Sequence, residues 1–187
     1  MSAGSEWPVH FSGGEGDVMA WLREHNVERI RAEFSDFNSI ARGKAVSVAQ
    51  FEHVMQHGLA FAATIMAVDN KAYVVPGTDY AESIGYGDFI LKPDLSTLRL
   101  LRHEGGSAQV VGSLVWPDGS LVDSCPRNVL ARVAGQAAEM GFTAFAAPEL
   151  EFYLLNEDYE LLDEGVQCYS MHKRTMFLAE ELALLEA

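Results

Sequence analysis

Three stretches ahead of residue 142 repeat their apolar residues every three or four positions, the period of an α-helix. The first extends from Asp17 to His25, and the second extends from Gln50 to His57, with Gly58 at the position of a C-cap. The third extends from Arg127 to Met140 and is followed by Gly141. The pattern therefore predicts three helices.

Shorter apolar stretches between these helices have the composition and alternation of strands. Residues 27–35 and 41–48 flank a polar turn and predict a β-hairpin. Residues 61–68 and 71–75 predict two further strands, and residues 108–116 predict a longer one that ends at a turn. Strands, a helix and more strands indicate an α+β fold with a small mixed sheet.

The stretch from Phe142 to Leu155 is almost wholly apolar, yet it carries Glu149 and Glu151. If it is a strand, both carboxylates project from one face, with Cα atoms about 6.5–7 Å apart. No lysine or arginine occurs between residues 134 and 171 to pair with them. Since buried unpaired carboxylates are costly, a divalent cation bound by oxygen ligands is one interpretation, and a solvent-exposed polar face is the other.

Near residue 120 the pattern changes to a helix followed by a long apolar run, which predicts the opening of a second domain. The stretch from Lys173 to Ala187 is helical in pattern, but the sequence stops inside it without a C-cap. We therefore expect the sequence to be truncated.

The net charge of −14 argues against nucleic acid and anionic membranes as partners, because little basic surface is left to neutralise phosphates. The N-terminus lacks the pattern of a signal peptide, and the longest apolar run, residues 59–68, is too short to span a bilayer. Cys125 and Cys168 fit reduced thiols, so we expect a cytoplasmic protein. We expect no paired metal-binding spacing among the six histidines, and we assign none of them to a metal.

Six short pieces follow one another between residues 42 and 152. They are Arg42-Gly43-Lys44, Gly87-Asp88, Pro93 to Arg99, Asp118-Gly119, Pro126-Arg127 and Glu149-Leu150-Glu151-Phe152. In this order and spacing, the chain resembles the N-terminal part of the glutamine synthetases, especially the glutamine synthetase-like amine ligases.

The resemblance implies a lead-in with a short helix over residues 1–24 and a β-grasp domain over residues 25–113. The truncated start of the catalytic α/β domain would occupy residues 114–187. It also implies the N-terminal portion of an ATP-dependent glutamate–amine or glutamate–ammonia ligase that acts through a γ-glutamyl phosphate. Such enzymes use two divalent cations, Mg²⁺ or Mn²⁺, and form homo-oligomeric rings. The chain as given is expected to be inactive alone.

The same resemblance assigns Glu149 to the cation that assists phosphoryl transfer and Glu151 to the cation nearer the acyl substrate. Arg42 and Lys44 become candidates for contact with a substrate or a neighbouring subunit. Ala62 stands where family enzymes that use ammonia commonly carry an aspartate, so the resemblance favours a larger amine.

Two other functions stay open from the residues alone. One is a non-catalytic fragment or interaction module of the same fold. The other is a carboxylate–metal hydrolase, which would also use paired glutamates but would need further aspartates or histidines at metal-binding spacing.

Overall fold

The structure, a computed structural model, describes residues 9–69, 71, 73–101 and 104–149. Within these ranges the chain forms three helices, six strands and several short 3-10 turns. The helices are α1 (Val18–Glu24), α2 (Val48–His57) and α3 (Pro126–Glu139). The strands are β1 (Arg29–Ser35), β2 (Ala41–Ser47), β3 (Leu59–Ala62), β4 (Asp88–Pro93), β5 (Arg99–Leu100) and β6 (Ser107–Val115). Among the described residues, no helix has both the length and the apolar character needed to cross a bilayer.

The strands form one sheet in the order β2-β1-β6-β4-β3, and β5 pairs with β6 beside β4. Strands β1 and β6 run parallel, whereas every other pairing is antiparallel. β1 and β2 form the predicted hairpin, with Phe34 opposite Arg42 and Ala32 opposite Lys44. The result is a mixed α/β architecture, and the finer β-grasp assignment stays a prediction.

A single hydrophobic core lies between the sheet and its helices. In β1 the alternating residues Ile30, Ala32 and Phe34 are buried, as the two-residue period of a strand requires. Helix α2 contributes Phe51 and Val54, three positions apart on one face. Each fully buried large apolar side chain stabilises the fold by about 1.5–3 kcal/mol.

The sheet curls so that its two edge strands approach each other. Lys44 of β2 donates a hydrogen bond from Nζ to the carbonyl oxygen of Ala60 in β3, at 2.6 Å. The ring of Phe61, also in β3, packs edge-on against Phe34 of β1, with 5.1 Å between ring centroids. Lys44 therefore links the two edge strands, and Phe34 and Phe61 pack together in the core beneath this link.

The predicted strand over residues 61–68 is wrong beyond Ala62. The chain turns there into a 3-10 helix, Ala63–Met66, which buries Ala63 and Met66 in the core. The amide of Ala63 donates to the carbonyl of Gly87 at 2.9 Å, so the backbone leaves the β3 ladder to make a tertiary contact. In residues 71–75 the described positions contain only an isolated bridge, between Val68 and Val74.

Helix α3 confirms the predicted helix to within one residue at each end, and Gly141 takes the positive φ of 86° that favours glycine. Only its first turn docks on the sheet. There the side-chain amide of Asn128 donates to the carbonyls of Leu114 and Val122, at 2.8 and 2.9 Å. Further along, Leu130 is 69% exposed and Met140 is 73% exposed.

The predicted strand from Phe142 to Leu155 is wrong over the part that the structure describes. Residues 142–149 are assigned to no strand, and no described strand pairs with them. A strand requires a partner for its backbone groups, and an apolar sequence does not supply one by itself. Residues 150–155 and the predicted helix over residues 173–187 lie outside the described ranges.

Candidate functional site

Three of the residues singled out from the sequence lie on the two edge strands of the sheet. Arg42 and Lys44 lie on β2, and Ala62 is the last residue of β3. Asp88, the first residue of β4, pairs with Ala62 across the ladder. We call these four residues the β2–β3 rim.

Arg42 is held by Asp36 in the turn of its own hairpin. The Asp36 carboxylate is 2% exposed, and its Oδ2 accepts a hydrogen bond from Arg42 Nε at 2.7 Å. Its Oδ1 accepts from the amides of Asn38 and Ile40, at 2.8 and 3.0 Å. These donors offset the cost of burying the charge, so Asp36 fixes both the turn and the position of the guanidinium.

Lys44 lies exposed on the rim with its ammonium near two groups of β3. Besides its hydrogen bond to Ala60, Nζ lies 4.7 Å from the centroid of the Phe61 ring, which is cation–π geometry. An ammonium has three donors, and the bond to Ala60 uses one of them. The remaining charge can therefore attract an anionic group at this edge.

Ala62 and Asp88 occupy directly opposite positions on an antiparallel pair, and both are exposed. Residues in such positions have Cβ atoms about 4.5–5.5 Å apart on the same face of the sheet. The carboxylate of Asp88 therefore lies beside the small side chain of Ala62. The arrangement therefore places one exposed negative charge beside a small side chain at this end of the β3–β4 pair.

The loop before Asp88 is anchored by Tyr80. Its ring stacks on Trp116, with 6.2 Å between centroids and an interplanar angle of 18°, and it packs edge-on against Phe89 at 5.6 Å. Its hydroxyl donates to the hydroxyl of Ser124. The start of β4 and the segment leading into α3 are therefore linked by one side chain.

Two of the sequence pieces, Pro93 to Arg99 and Pro126-Arg127, meet in space. Arg127 Nη2 lies 2.5 Å from Oδ2 of Asp94, while Oδ1 accepts from the amide and the hydroxyl of Ser96 at 3.0 and 2.6 Å. The hydrogen bond from the Ser96 hydroxyl is the main cause that lowers the pKa of Asp94, against the opposing effect of burial, and Arg127 lowers it further. Asp94 therefore caps the 3-10 helix Leu95–Thr97.

Glu149 is exposed and makes no hydrogen bond or ion pair within the described part of the chain. Glu151, its predicted partner in holding cations, lies outside the described residues. The structure places Lys44 against Ala60 and Phe61 of β3, the strand that ends at Ala62, and it pairs Arg42 with Asp36. No contact among the described residues joins Arg42, Lys44 or Ala62 to Glu149. Within the same ranges, no group of three or more histidine, cysteine, aspartate or glutamate side chains is arranged to hold a metal ion.

Sequence reasoning gave no site role to Asp36 or to a pair of histidines, and it named Asp88 only as part of the family pattern. Asp36 had a local signal, because an aspartate before an asparagine in a hairpin turn often accepts hydrogen bonds from the turn amides. The position of Asp88 beside Ala62 depends on strand register and had no local signal. The expectation of no paired histidines is wrong, because His53 and His57 are four residues apart and their rings lie 4.4 Å from each other on α2.

Comparison with known proteins places these features in a family. The sequence profile described as glutamine synthetase, catalytic domain, matches residues 123–181. Gamma-glutamylethanolamide synthetase from Streptomyces coelicolor is 34% identical over 151 residues, which cover 79% of this chain and 32% of that protein. Glutamate–isopropylamine ligase from a Pseudomonas species is 29% identical over 82% of this chain and 36% of that protein. Glutamine synthetase from Methanosarcina mazei is 31% identical over 80% of this chain and 33% of that protein.

Solved structures share the fold. The complex of GmaS with ADP superposes with a TM-score of 0.54 at 21% identity, covering 66% of this chain and 26% of that chain. A crystal structure of a glutamine synthase homologue superposes with a TM-score of 0.55 at 18% identity, covering 61% of this chain and 27% of that chain. The chain thus spans about a third of the length of the curated relatives it matches. On the matched catalytic-domain profile and these relatives, the chain belongs to the glutamine synthetase family.

Proposed function

We propose that this chain is the N-terminal portion of an ATP-dependent glutamate–amine ligase that acts through a γ-glutamyl phosphate. The observation that carries the proposal is the similarity to two relatives named as amine ligases, over about four-fifths of this chain. The substrates are ATP, glutamate and an amine. Cytoplasmic location and assembly into a homo-oligomeric ring stay predictions.

The proposed architecture follows the same similarity. Residues 1–24 are the lead-in with α1, residues 25–113 are a β-grasp domain, and residues 114–187 open the catalytic domain. The sheet with α2 packed against it supports the middle unit, and the profile match over residues 123–181 supports the last. The first turn of α3, docked through Asn128 and Arg127, would orient the second unit on the first.

Glu149 and Glu151 are the proposed ligands of two divalent cations, one each. The chemistry of Glu149 fits this role, because an exposed carboxylate without a cationic partner among the described residues can bind Mg²⁺ or Mn²⁺ without breaking an existing ion pair. When bound, the cations would neutralise the phosphates and orient the γ-phosphoryl group toward the γ-carboxylate of glutamate. This chain would contribute two carboxylate ligands, Glu149 and Glu151, which are two residues apart in the sequence.

The β2–β3 rim is the proposed amine-selecting surface. Ala62 leaves space where ammonia-using family members commonly carry an aspartate, and Asp88 keeps a carboxylate beside that space. An alkylammonium substrate would place its charge near Asp88 and its carbon chain against Ala62. Lys44 and Arg42 are the proposed contacts for an anionic substrate group or a neighbouring subunit, and Arg42 is oriented for this by Asp36.

The test uses the protein encoded by the whole open reading frame that contains this chain. ADP release is measured with ATP, glutamate and Mg²⁺, and ammonium is compared with methylamine, isopropylamine and ethanolamine. We expect glutamate-dependent turnover that is faster with one of the organic amines. Turnover without an amine-dependent product, or phosphate-ester cleavage without ATP, would overturn the proposal in favour of a hydrolase.

A second arm tests the cation ligands. Glu149→Gln and Glu151→Gln should each lower kcat by at least about 100-fold, because each removes a charged oxygen ligand next to the phosphates. Glu139→Gln, an exposed glutamate on α3, is the matched control and should leave kcat unchanged. Full activity in the Glu149 and Glu151 variants would contradict their assignment.

A further inference from the structure

Helix α2 carries two histidines on its solvent side. His53 and His57 are both exposed, and their ring centroids lie 4.4 Å apart with an interplanar angle of 40°. The opposite side of the same helix is buried through Phe51 and Val54. The two imidazoles therefore form a contacting pair on a helix whose other face is fixed in the core.

The spacing suits a chelate. Residues four apart on an α-helix lie on the same face one turn apart, so two imidazoles at these positions can offer nitrogen atoms to one cation. Neutral imidazole is a good ligand for Zn²⁺, Ni²⁺ and Cu²⁺, with metal–nitrogen distances of about 2.0–2.1 Å for zinc. The hard cations Mg²⁺ and Mn²⁺ prefer oxygen ligands.

The backbone of the pair is held in place. Helix α2 ends at Gly58, whose amide donates to the carbonyl of Val54 at 2.7 Å and whose φ is 81°. Lys92 of β4 donates from Nζ to the carbonyl of Gln56 at 3.2 Å, which also fixes the last turn. A ligand pair on such a helix loses little backbone freedom on binding, and this favours chelation.

We propose that His53 and His57 form a two-histidine site for a borderline divalent cation, Zn²⁺, Ni²⁺ or Cu²⁺, with water in the remaining coordination positions. No third metal-ligating side chain joins them within the described part of the chain. The site differs from the proposed Glu149 and Glu151 ligands in metal preference, because imidazole favours borderline cations and carboxylates favour hard ones. It would link the stability of the N-terminal unit to the available transition metal.

The experiment titrates the protein encoded by the whole open reading frame that contains this chain with CuCl₂, NiCl₂, ZnCl₂ and MgCl₂. Binding is measured by calorimetry, and thermal unfolding is a second readout. We expect one equivalent of Cu²⁺ to bind most tightly, Ni²⁺ and Zn²⁺ to bind more weakly, and Mg²⁺ to have no effect on this site. The three transition metals should also raise the Tm. Imidazole proton signals of His53 and His57 should broaden with Cu²⁺ before those of the other histidines.

Single variants separate a chelate from two independent ligands. His53→Gln and His57→Gln should each weaken Cu²⁺ binding by about tenfold or more, nearly as much as the double variant, because the second contact of a chelate is intramolecular. His10→Gln is the control, because it removes an exposed histidine that has no second histidine four residues away. The Glu149→Gln/Glu151→Gln variant tests whether Cu²⁺ binding is independent of the proposed ligase site. The proposal is overturned if each single variant keeps half of the binding, or if either control variant loses as much.

Discussion

Arg127, in the first turn of α3, forms an ion pair with Asp94, in the turn that joins β4 to β5, at 2.5 Å. The two residues are 33 positions apart in the sequence, and each belongs to a different piece of the family pattern. This ion pair and the hydrogen bonds of Asn128 dock the first turn of α3 on the sheet. Both side chains are about one-third exposed, so the pair is a partly solvated one.

Replacing Arg127 with methionine should lower the free energy of unfolding by about 0.5–1 kcal/mol, because the ion pair is only partly shielded from water. The measurement is urea unfolding followed by circular dichroism. Arg132→Met is the matched control, since Arg132 approaches the exposed Asp123 only at 3.6 Å on the same helix. An equal loss in both variants would mean that the apolar stem, and not the pair with Asp94, carries the effect.

The lowered pKa of Asp94 predicts a pH effect with a defined sign. In the folded state its carboxyl binds a proton less readily than in the unfolded state, where the ordinary value is 3.8. Its contribution is therefore fully present above about pH 4, and it is lost as the pH falls through the lower folded value. The Tm measured between neutral and strongly acidic pH should show a steeper acid decline in the parent chain than in Asp94→Asn. Parallel curves would contradict this.

Much of the local structure was predictable because its signals lie within a few adjacent residues. Helix α1, Val18–Glu24, lies within the predicted stretch from Asp17 to His25, and Asn26 takes a positive φ of 53° directly after that stretch. Helix α2 and the β1–β2 hairpin were confirmed to within a few residues for the same reason. Cap and turn chemistry acts over short distances in the sequence.

The contacts that build the candidate site were not predictable in the same way. The pairing of Ala62 with Asp88 depends on the register between β3 and β4, and the ion pair of Arg127 depends on where α3 begins relative to the sheet. Apolar composition suggested a strand over residues 142–149, but a strand is formed by pairing and not by composition. Phe145 is accordingly 93% exposed in that segment.

Gly43 should not tolerate a side chain. A Cβ at this position would lie 2.6 Å from Cγ of Glu33 and 2.8 Å from the carbonyl oxygen of Ala32. Glu33 cannot move freely, because it is buried and accepts a hydrogen bond from Gln109 at 2.6 Å. Gly43→Ala should therefore lower the free energy of unfolding by about 1–3 kcal/mol in urea denaturation.

The control for Gly43→Ala is the same substitution at Gly135, where we expect the free energy of unfolding to rise instead of fall. Gly135 lies within α3, and nothing comes within 4 Å of a Cβ added there. Gly135→Ala should raise the free energy of unfolding by about 0.5–1 kcal/mol, because alanine is the better helix former and restricts the unfolded chain. If both variants shift stability in the same direction, close packing around Gly43 is not the cause.

Asp36, the buried carboxylate that holds Arg42 of the β2–β3 rim, should be costly to remove. Asp36→Ala leaves two turn amides and the guanidinium of Arg42 without their shared acceptor, and we expect a loss of about 2–3 kcal/mol in urea unfolding. Asp69 offers a matched comparison, since it also accepts from two turn amides, at 2.8 and 2.9 Å, but on an exposed turn. Asp69→Ala should cost less than about 1 kcal/mol, because water can replace its hydrogen bonds. A similar cost for both would contradict the role assigned to burial and to Arg42.

Ala62→Asp tests whether the rim selects the amine in the whole enzyme. The new carboxylate would stand opposite Asp88, fill the open space and add a second negative charge for a small cation. The ratio of kcat/KM for ammonium to that for the preferred organic amine should rise by about tenfold or more, which corresponds to about 1.4 kcal/mol of differential transition-state binding. Ala60→Asp is the control, because Ala60 is exposed two residues earlier on the same strand and adds the same charge without facing Asp88. An equal shift of this ratio in both variants would indicate a general effect of charge. No shift in Ala62→Asp would show that Ala62 is not part of the amine site. The ligase assignment itself is tested separately, by ADP release.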